Sequence, residues 1–276
     1  MSNGPNILGV HLEGPYFAIN QRGAQAQEYV RNPIKEEYLY IIDNFDNILR
    51  WSLAPELPGG LEMAKELKKR GIHMSIGHSD ALFHEVIRAY ECGFTTVTHL
   101  YSCTSMVRRV NAYRYAGIIE AAFLIDDMMV EIIADGKHLP SSLLKLVYKI
   151  KGPDRICLVT DAIDVAGIEN LGGEIYSKTI GSNIIIEDEV AKLPDRSAFA
   201  GSVATSDRLV RTMQKLADIP LYQAVKMMSA TPAKNIGMFS KKGSLSIGKD
   251  ADIIIFDENI NVSMVMVGGK VTFYKS

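Results

Sequence analysis

Short apolar or β-branched runs recur along this chain, each closing on polar residues or glycine: ILGVHLEG, WSLAPE, IHMSIGHS, TTVTHL, MVEIIADG, ICLVTDA and AFAGS. Between them lie amphipathic stretches such as Gly59–Arg70, with Leu61, Ala64 and Leu67 on one face, and Pro140–Ile150, with Leu143, Leu144, Val147 and Tyr148. Runs this apolar read as parallel strands that must be covered on both faces, which leaves a (β/α) barrel or a doubly wound sheet. The strand ends choose between them. Glu13, Glu56, His78, His99, Asp135 with His138, Asp161, and Gly201 with Ser202 all fall there, and polar groups on successive strand ends converge only if those ends form a ring.

The expected fold is therefore α/β, a (β/α)8-type TIM barrel, with seven strands visible where closure takes eight. The first strand is the missing one, and its place is expected N-terminal to Asn6. Residues 1–236 carry the barrel. After Ala230 the texture changes: TPAKNIGM closes a helix, and GSLSIGKDADIIIFD and VSMVMVGGKVTFYK read as strands joined through Asp257–Asn261 and a Gly268–Gly269 turn, so 237–276 form a small β unit. Gly173–Val190 alternates like a hairpin turning at Gly181–Asn183, inserted between Asp161 and Gly201.

Composition narrows the function classes. Thirty Lys and Arg against 32 Asp and Glu leave a net charge of −2, without the basic block that nucleic acid or an anionic membrane would call for. No apolar run reaches the roughly 18 residues of a membrane span, and the start MSNGPNILGV has no signal-peptide pattern. Three widely spaced cysteines, Cys92, Cys103 and Cys157, are no disulfide framework, which points to a reducing cytoplasm.

Of the six histidines, His78, His99 and His138 sit at or just after strand ends. One carboxylate, Glu13, and two neutral imidazoles, His78 and His99, form a donor set suited to Zn²⁺ or a similar divalent ion with a position left for water. The plainer reading of any one of them is a polar side chain bonded to its own loop; three together favour the metal. His73 opens a strand and His84 lies in a helix starting near Ser79, so both read as structural, while His11 is either a support for Glu13 or simple core. Asp161 in LVTDA is the candidate general acid/base, against a capping role. Asp135 in ADGKH reads chiefly as a turn residue. Tyr101–Tyr115 gathers Arg108, Arg109 and Arg114 with Ser102, Thr104, Ser105 and Asn111, a loop that could hold phosphate or simply be solvated.

Seven motifs occur in order: HLEGP at 11–15, LAPE at 53–56, GHSDA at 77–81, THLY at 98–101, ADGKH at 134–138, LVTDA at 158–162 and AGS at 200–202. With the ATPAKNIGM and KGSLSIGKDADIIIFD segments, they resemble the N-acetylglucosamine-6-phosphate deacetylases of the amidohydrolase superfamily over nearly the whole chain. The resemblance implies a barrel carrying a small β-sandwich, of which 237–276 supply the C-terminal part. It also implies one divalent metal ion, zinc foremost with Fe, Co, Mn or Ni as alternatives, on Glu13, His78 and His99.

It further implies Asp161 as general acid/base, His138 at the substrate, and contacts to a phosphosugar from His99, Ser102, Arg109, Arg114 and Gly201. The implied assembly is a homodimer in which Arg109 or Arg114 reaches the neighbouring subunit's phosphate. Three departures accompany it: no counterpart of the first strand with its HxH pair, THLYSCTSM where many members have Asn-Ala after THLY, and Asp80 where Asn is common. Two alternatives remain at this stage, a related amidohydrolase acting on another amide and a non-catalytic remnant needing a partner fragment.

Overall fold

Six of the seven expected barrel strands form. The computed structural model describes residues 4–168 and 170–275. It begins with β1 (Val10–Glu13), α1 (Lys35–Asn44), β2 (Ile48–Leu53), α2 (Gly60–Lys69), β3 (His73–Ile76), α3 (Phe83–Cys92) and β4 (Phe94–Val97). A hairpin, β5 (Arg108–Val110) and β6 (Tyr113–Tyr115), precedes α4 (Ile118–Leu124), β7 (Met129–Ile132), α5 (Ser141–Lys151) and β8 (Ile156–Leu158). Then come β9 (Gly173–Ser177), β10 (Ser182–Glu187) and β11 (Val190–Lys192), helices α6 (Ser206–Lys215), α7 (Leu221–Met228) and α8 (Ala230–Asn235), and β12 (Ile253–Phe256), β13 (Val262–Val267) and β14 (Lys270–Tyr274).

The main sheet is parallel throughout, in the order β1-β2-β3-β4-β7-β8. It is a curled half-barrel whose two outer strands do not pair with each other among the described residues. The interior side chains demonstrate the curl. Arg50 of β2 pairs with Glu131 of β7 and also donates to Ser75 Oγ of β3 at 2.8 Å and Thr98 Oγ1 at 3.0 Å. β2 and β7 are three strand spacings apart, roughly 14 Å along a flat sheet, farther than one guanidinium reaches, so the contact runs along a chord of the curve.

The helices bury one stripe each against this sheet, Met63, Ala64 and Leu67 on α2, Val86 and Ala89 on α3, and Leu144 and Val147 on α5. No helix among the described residues is long and apolar enough to cross a membrane. The insertion expected at Gly173–Val190 is the antiparallel β9–β10 hairpin with β11 added, and the C-terminal unit is the three-stranded β12-β13-β14 sheet.

Four expectations are corrected. AFAGS is not a strand: Ala200 N–H bonds to Ala191 O of the insertion while Ser202 N–H bonds to Asp161 O, so the backbone divides between two partners and forms only isolated bridges. The helix expected near Ser79 starts at Phe83, where Glu85 accepts the Leu82 N–H at 2.8 Å, because Ser79 and Asp80 are bonded elsewhere. Of GSLSIGKDADIIIFD only Ile253–Phe256 is strand; Gly243 and Gly248 turn the rest with φ of 85° and 89°. The segment after THLY, read as a loop, contains the β5–β6 hairpin, turning at Asn111 and Ala112 with φ of 48° and 68°.

Candidate metal centre

Glu13 ends β1, His78 lies two residues beyond β3, and His99 lies two beyond β4. Parallel register brings these three ends to one rim. Glu13 Oε1 lies 3.0 Å from His78 Nε2 and 2.8 Å from His99 Nε2, and the three donor atoms all fall within 4.8 Å of one another. The two imidazoles meet edge to face with centroids 4.9 Å apart, and Phe17 stacks on His78 at 4.2 Å.

The other ring nitrogens decide what the rim can hold. His78 Nδ1 is 2.7 Å from Gln21 O and His99 Nδ1 is 3.1 Å from Ser102 O. A carbonyl only accepts, so each Nδ1 carries its hydrogen and each neutral ring aims an Nε2 lone pair at Glu13 Oε1. Three electron-rich atoms so close require positive charge between them. With protons alone, burial opposes the charge on both rings, yet Cys103 and Glu13 hold His78 up to about 9, and Glu13 and Asp161 hold His99 up to about 9. Burial likewise opposes the Glu13 carboxylate, which its bonds to His78 and His99 keep well below the usual range. A divalent cation supplies the same charge without protons, and one carboxylate with two correctly tautomerised imidazoles fits it.

Asp161 follows β8 on the same rim, where His99, Glu13, His138 and His78 all act on it electrostatically; burial raises its carboxyl. The His138 side chain is buried, with Nδ1 2.8 Å from Asp135 Oδ2 and its ring 4.6 Å from Phe199. His78, His99 and Asp161 have φ of 49°, 29° and 49°, left-handed values that non-glycine residues keep only where surrounding contacts impose them, and such outliers cluster at functional sites.

Several expected residues take different places. Asp135 is more than a turn residue: its Oδ1 accepts the Lys137 and His138 N–H groups while Oδ2 holds the His138 ring. The D-x-x-H spacing in ADGKH was the available signal. Ser102 contributes its carbonyl, to His99. Gly201 has φ of 71°, and a Cβ there would meet Ile163 Cγ2 at 2.6 Å, so glycine lets the AGS segment lie against the Asp161 loop. Arg109 and Arg114 face each other across the exposed β5–β6 ladder, away from the triad's hydrogen bonds, while Arg108 pairs with Asp80 at 3.0 Å. His11 Nε2 meets Ser52 Oγ at 2.7 Å outside the triad. Glu56 is half-buried at the rim but joins the turn after His78 instead of the donor set.

The half-barrel with a carboxylate–imidazole rim is the architecture of a metal-site hydrolase scaffold, and the chain belongs to the amidohydrolase family, whose profile matches residues 4–272. It is similar to the N-acetylglucosamine-6-phosphate deacetylase of Lysinibacillus sphaericus, 32% identical over 279 residues, covering 98% of this chain and 67% of that protein. The enzyme of that name from Haemophilus influenzae is 32% identical over 263 residues, covering 95% and 67%.

Among solved structures, N-acetylglucosamine-6-phosphate deacetylase from Pasteurella multocida superposes with a TM-score of 0.88 at 30% identity, over 96% of this chain and 67% of that one. A mutant of the Mycobacterium smegmatis enzyme in complex with N-acetyl-D-glucosamine-6-phosphate gives 0.87 at 26% identity, over 96% and 68%. The chain thus spans about two thirds of the length of these relatives.

Proposed function

We propose that this chain hydrolyses the acetamido group of N-acetylglucosamine 6-phosphate to acetate and glucosamine 6-phosphate, a step of amino-sugar breakdown. The observation that carries the reading is the pair of His Nε2 lone pairs converging with Glu13 Oε1, beside Asp161 on the same rim. Relatives of that name and activity support the substrate.

A divalent cation on Glu13, His78 and His99, zinc by the donor set, would supply Lewis acidity toward the amide carbonyl. Asp161 accepts a proton from the water that attacks the acetyl carbon. It then delivers that proton to the sugar nitrogen as the C–N bond breaks, leaving a free amine and acetic acid, which ionises to acetate. Asp135 holds the His138 Nδ1 side, which leaves Nε2 to meet the substrate. In this reading Ser102, Gly201, Arg109 and Arg114 hold the phosphosugar, the arginines across a homodimer in the cytoplasm, and residues 1–236 carry the reaction.

The test is acetate release by the purified chain from N-acetylglucosamine 6-phosphate and from the unphosphorylated sugar, each with zinc and with chelator. Zinc-dependent release confined to the phosphosugar is the expected result. Release from the unphosphorylated sugar at an equal rate would overturn the phosphosugar assignment. It would favour an amidohydrolase acting on another amide, the alternative raised by THLYSCTSM standing where many family members have Asn-Ala after THLY.

A further inference from the structure

Glu56 follows β2 at the rim that carries the candidate ligands, and the reaction above leaves it without a role. Its carboxylate is occupied by the turn directly after His78. Ser79 Oγ–H donates to Oε2 at 2.7 Å, and the Asp80 N–H donates to Oε1 at 2.6 Å. This turn needs restraint, because His78 sits at φ 49°, a conformation that persists in a non-glycine residue only when its surroundings over-determine it.

A second restraint on His78 arrives at the same place. Asp80 Oδ1 accepts from Gln21 Nε2 at 3.1 Å, and the Gln21 carbonyl accepts the His78 Nδ1–H at 2.7 Å. The backbone after His78 and the orientation of its ring are thus both tied through Asp80. On the other side, Ser79 N–H donates to Cys103 O at 3.1 Å and Ser105 N–H to Ser79 O at 3.1 Å, which joins this turn to the segment after His99. Of these partners, Glu56 alone contacts two consecutive residues of the turn with one side chain, and it does so from a different strand.

We propose that Glu56 is a positioning residue for His78: it clamps the Ser79–Asp80 turn and thereby aims Nε2 at Glu13, touching neither metal nor substrate. The inference rests on the metal-site reading above. What the clamp requires is two bonding atoms, not a charge. In Glu56→Gln the amide oxygen can accept the Asp80 N–H and the amide nitrogen can donate to Ser79 Oγ, whereas Glu56→Ala loses both contacts.

Zinc affinity of the full chain, measured by competition with a chromophoric chelator, tests this beside the Tm of the metal-free variants. Glu56→Ala should weaken zinc binding about 10–100-fold, the usual loss when a ligand's supporting contacts are removed. Glu56→Gln should stay within about threefold of wild type, and Ser79→Ala, which removes one contact of the two, should fall between them. Unchanged affinity in Glu56→Ala overturns the proposal, and so does a Gln variant as weak as the Ala variant. If Glu56→Ala does not fold, wild-type affinity in Ser79→Ala overturns it in its place. His99→Ala serves as the control: stoichiometric zinc retained there refutes the metal-site reading itself, whatever Glu56 does.

Discussion

Asp135 holds two N–H groups with one oxygen and the His138 ring with the other, and its carboxyl is lowered by those bonds even though burial opposes the charge. A carboxylate whose folded pKa lies below its ordinary value stabilises the fold above that value, and the contribution is lost as pH falls through the folded pKa. Asp135→Asn should therefore cost about 2 kcal/mol at pH 7, the scale of a charge-assisted bond. The gap should narrow below the ordinary value of 3.8 as wild type protonates, followed as the difference in urea midpoint against pH.

Asp161 calls for a different outcome, since it is a neighbour of the donor atoms and not one of them. Asp161→Asn should keep stoichiometric zinc and lose about 10²–10⁴ in turnover, the range for a lost proton carrier; zinc lost along with activity would make it a ligand. At this scale the donor residues were legible, because a carboxylate and imidazoles at strand ends carry their own chemistry. The left-handed backbone of His78 and the work of Glu56 were not, since both arise from contacts between loops far apart in sequence.

Between elements, a buried ion pair joins Arg50 to Glu131 across the concave face, with both side chains below a tenth exposed. Losing one partner leaves an uncompensated buried charge, so Arg50→Met should cost about 3–5 kcal/mol. Replacing both, as in Arg50→Met with Glu131→Leu, should recover at least half of that; chemical denaturation of the single and double variants measures the difference. Neither residue entered the sequence reading, because Arg50 lies just before the WSLAPE run and its partner lies 81 residues away. The parallel strands themselves were legible from continuous apolar runs bounded by turn residues. AFAGS shared that texture and failed as a strand, since pairing depends on which backbone lies alongside, and there two different neighbours each take part of the segment. The β5–β6 hairpin was hidden for the converse reason: Asn-Ala lacks the glycine that usually marks such a turn.

Across the whole molecule, the candidate metal centre joins β1 to β3 and β4, and β1 is the strand with most to gain. Among the described residues it is an edge strand, hydrogen-bonded only to β2, with Val10 and His11 exposed. An edge strand of four residues with one partner is the first part of the sheet expected to open. Its last residue is Glu13, which a bound cation would tie to His78 just beyond β3 and to His99 just beyond β4, two and three strands away. Because a cation held this way binds the folded chain and not the unfolded one, zinc at a thousandfold excess over its Kd adds about 4 kcal/mol to stability. For a chain of this length that corresponds to about 7 °C in Tm. Chelation should remove that increment, and His99→Ala should make Tm insensitive to zinc. Amide exchange separates local from global loosening. If the centre pins the edge, chelator should raise exchange in residues 10–13 well before it does so in β3 and β7, whose strands are paired on both sides. Equal loss of protection in all three would mean that the cation stabilises the sheet as a unit and that β1 needs no separate anchor.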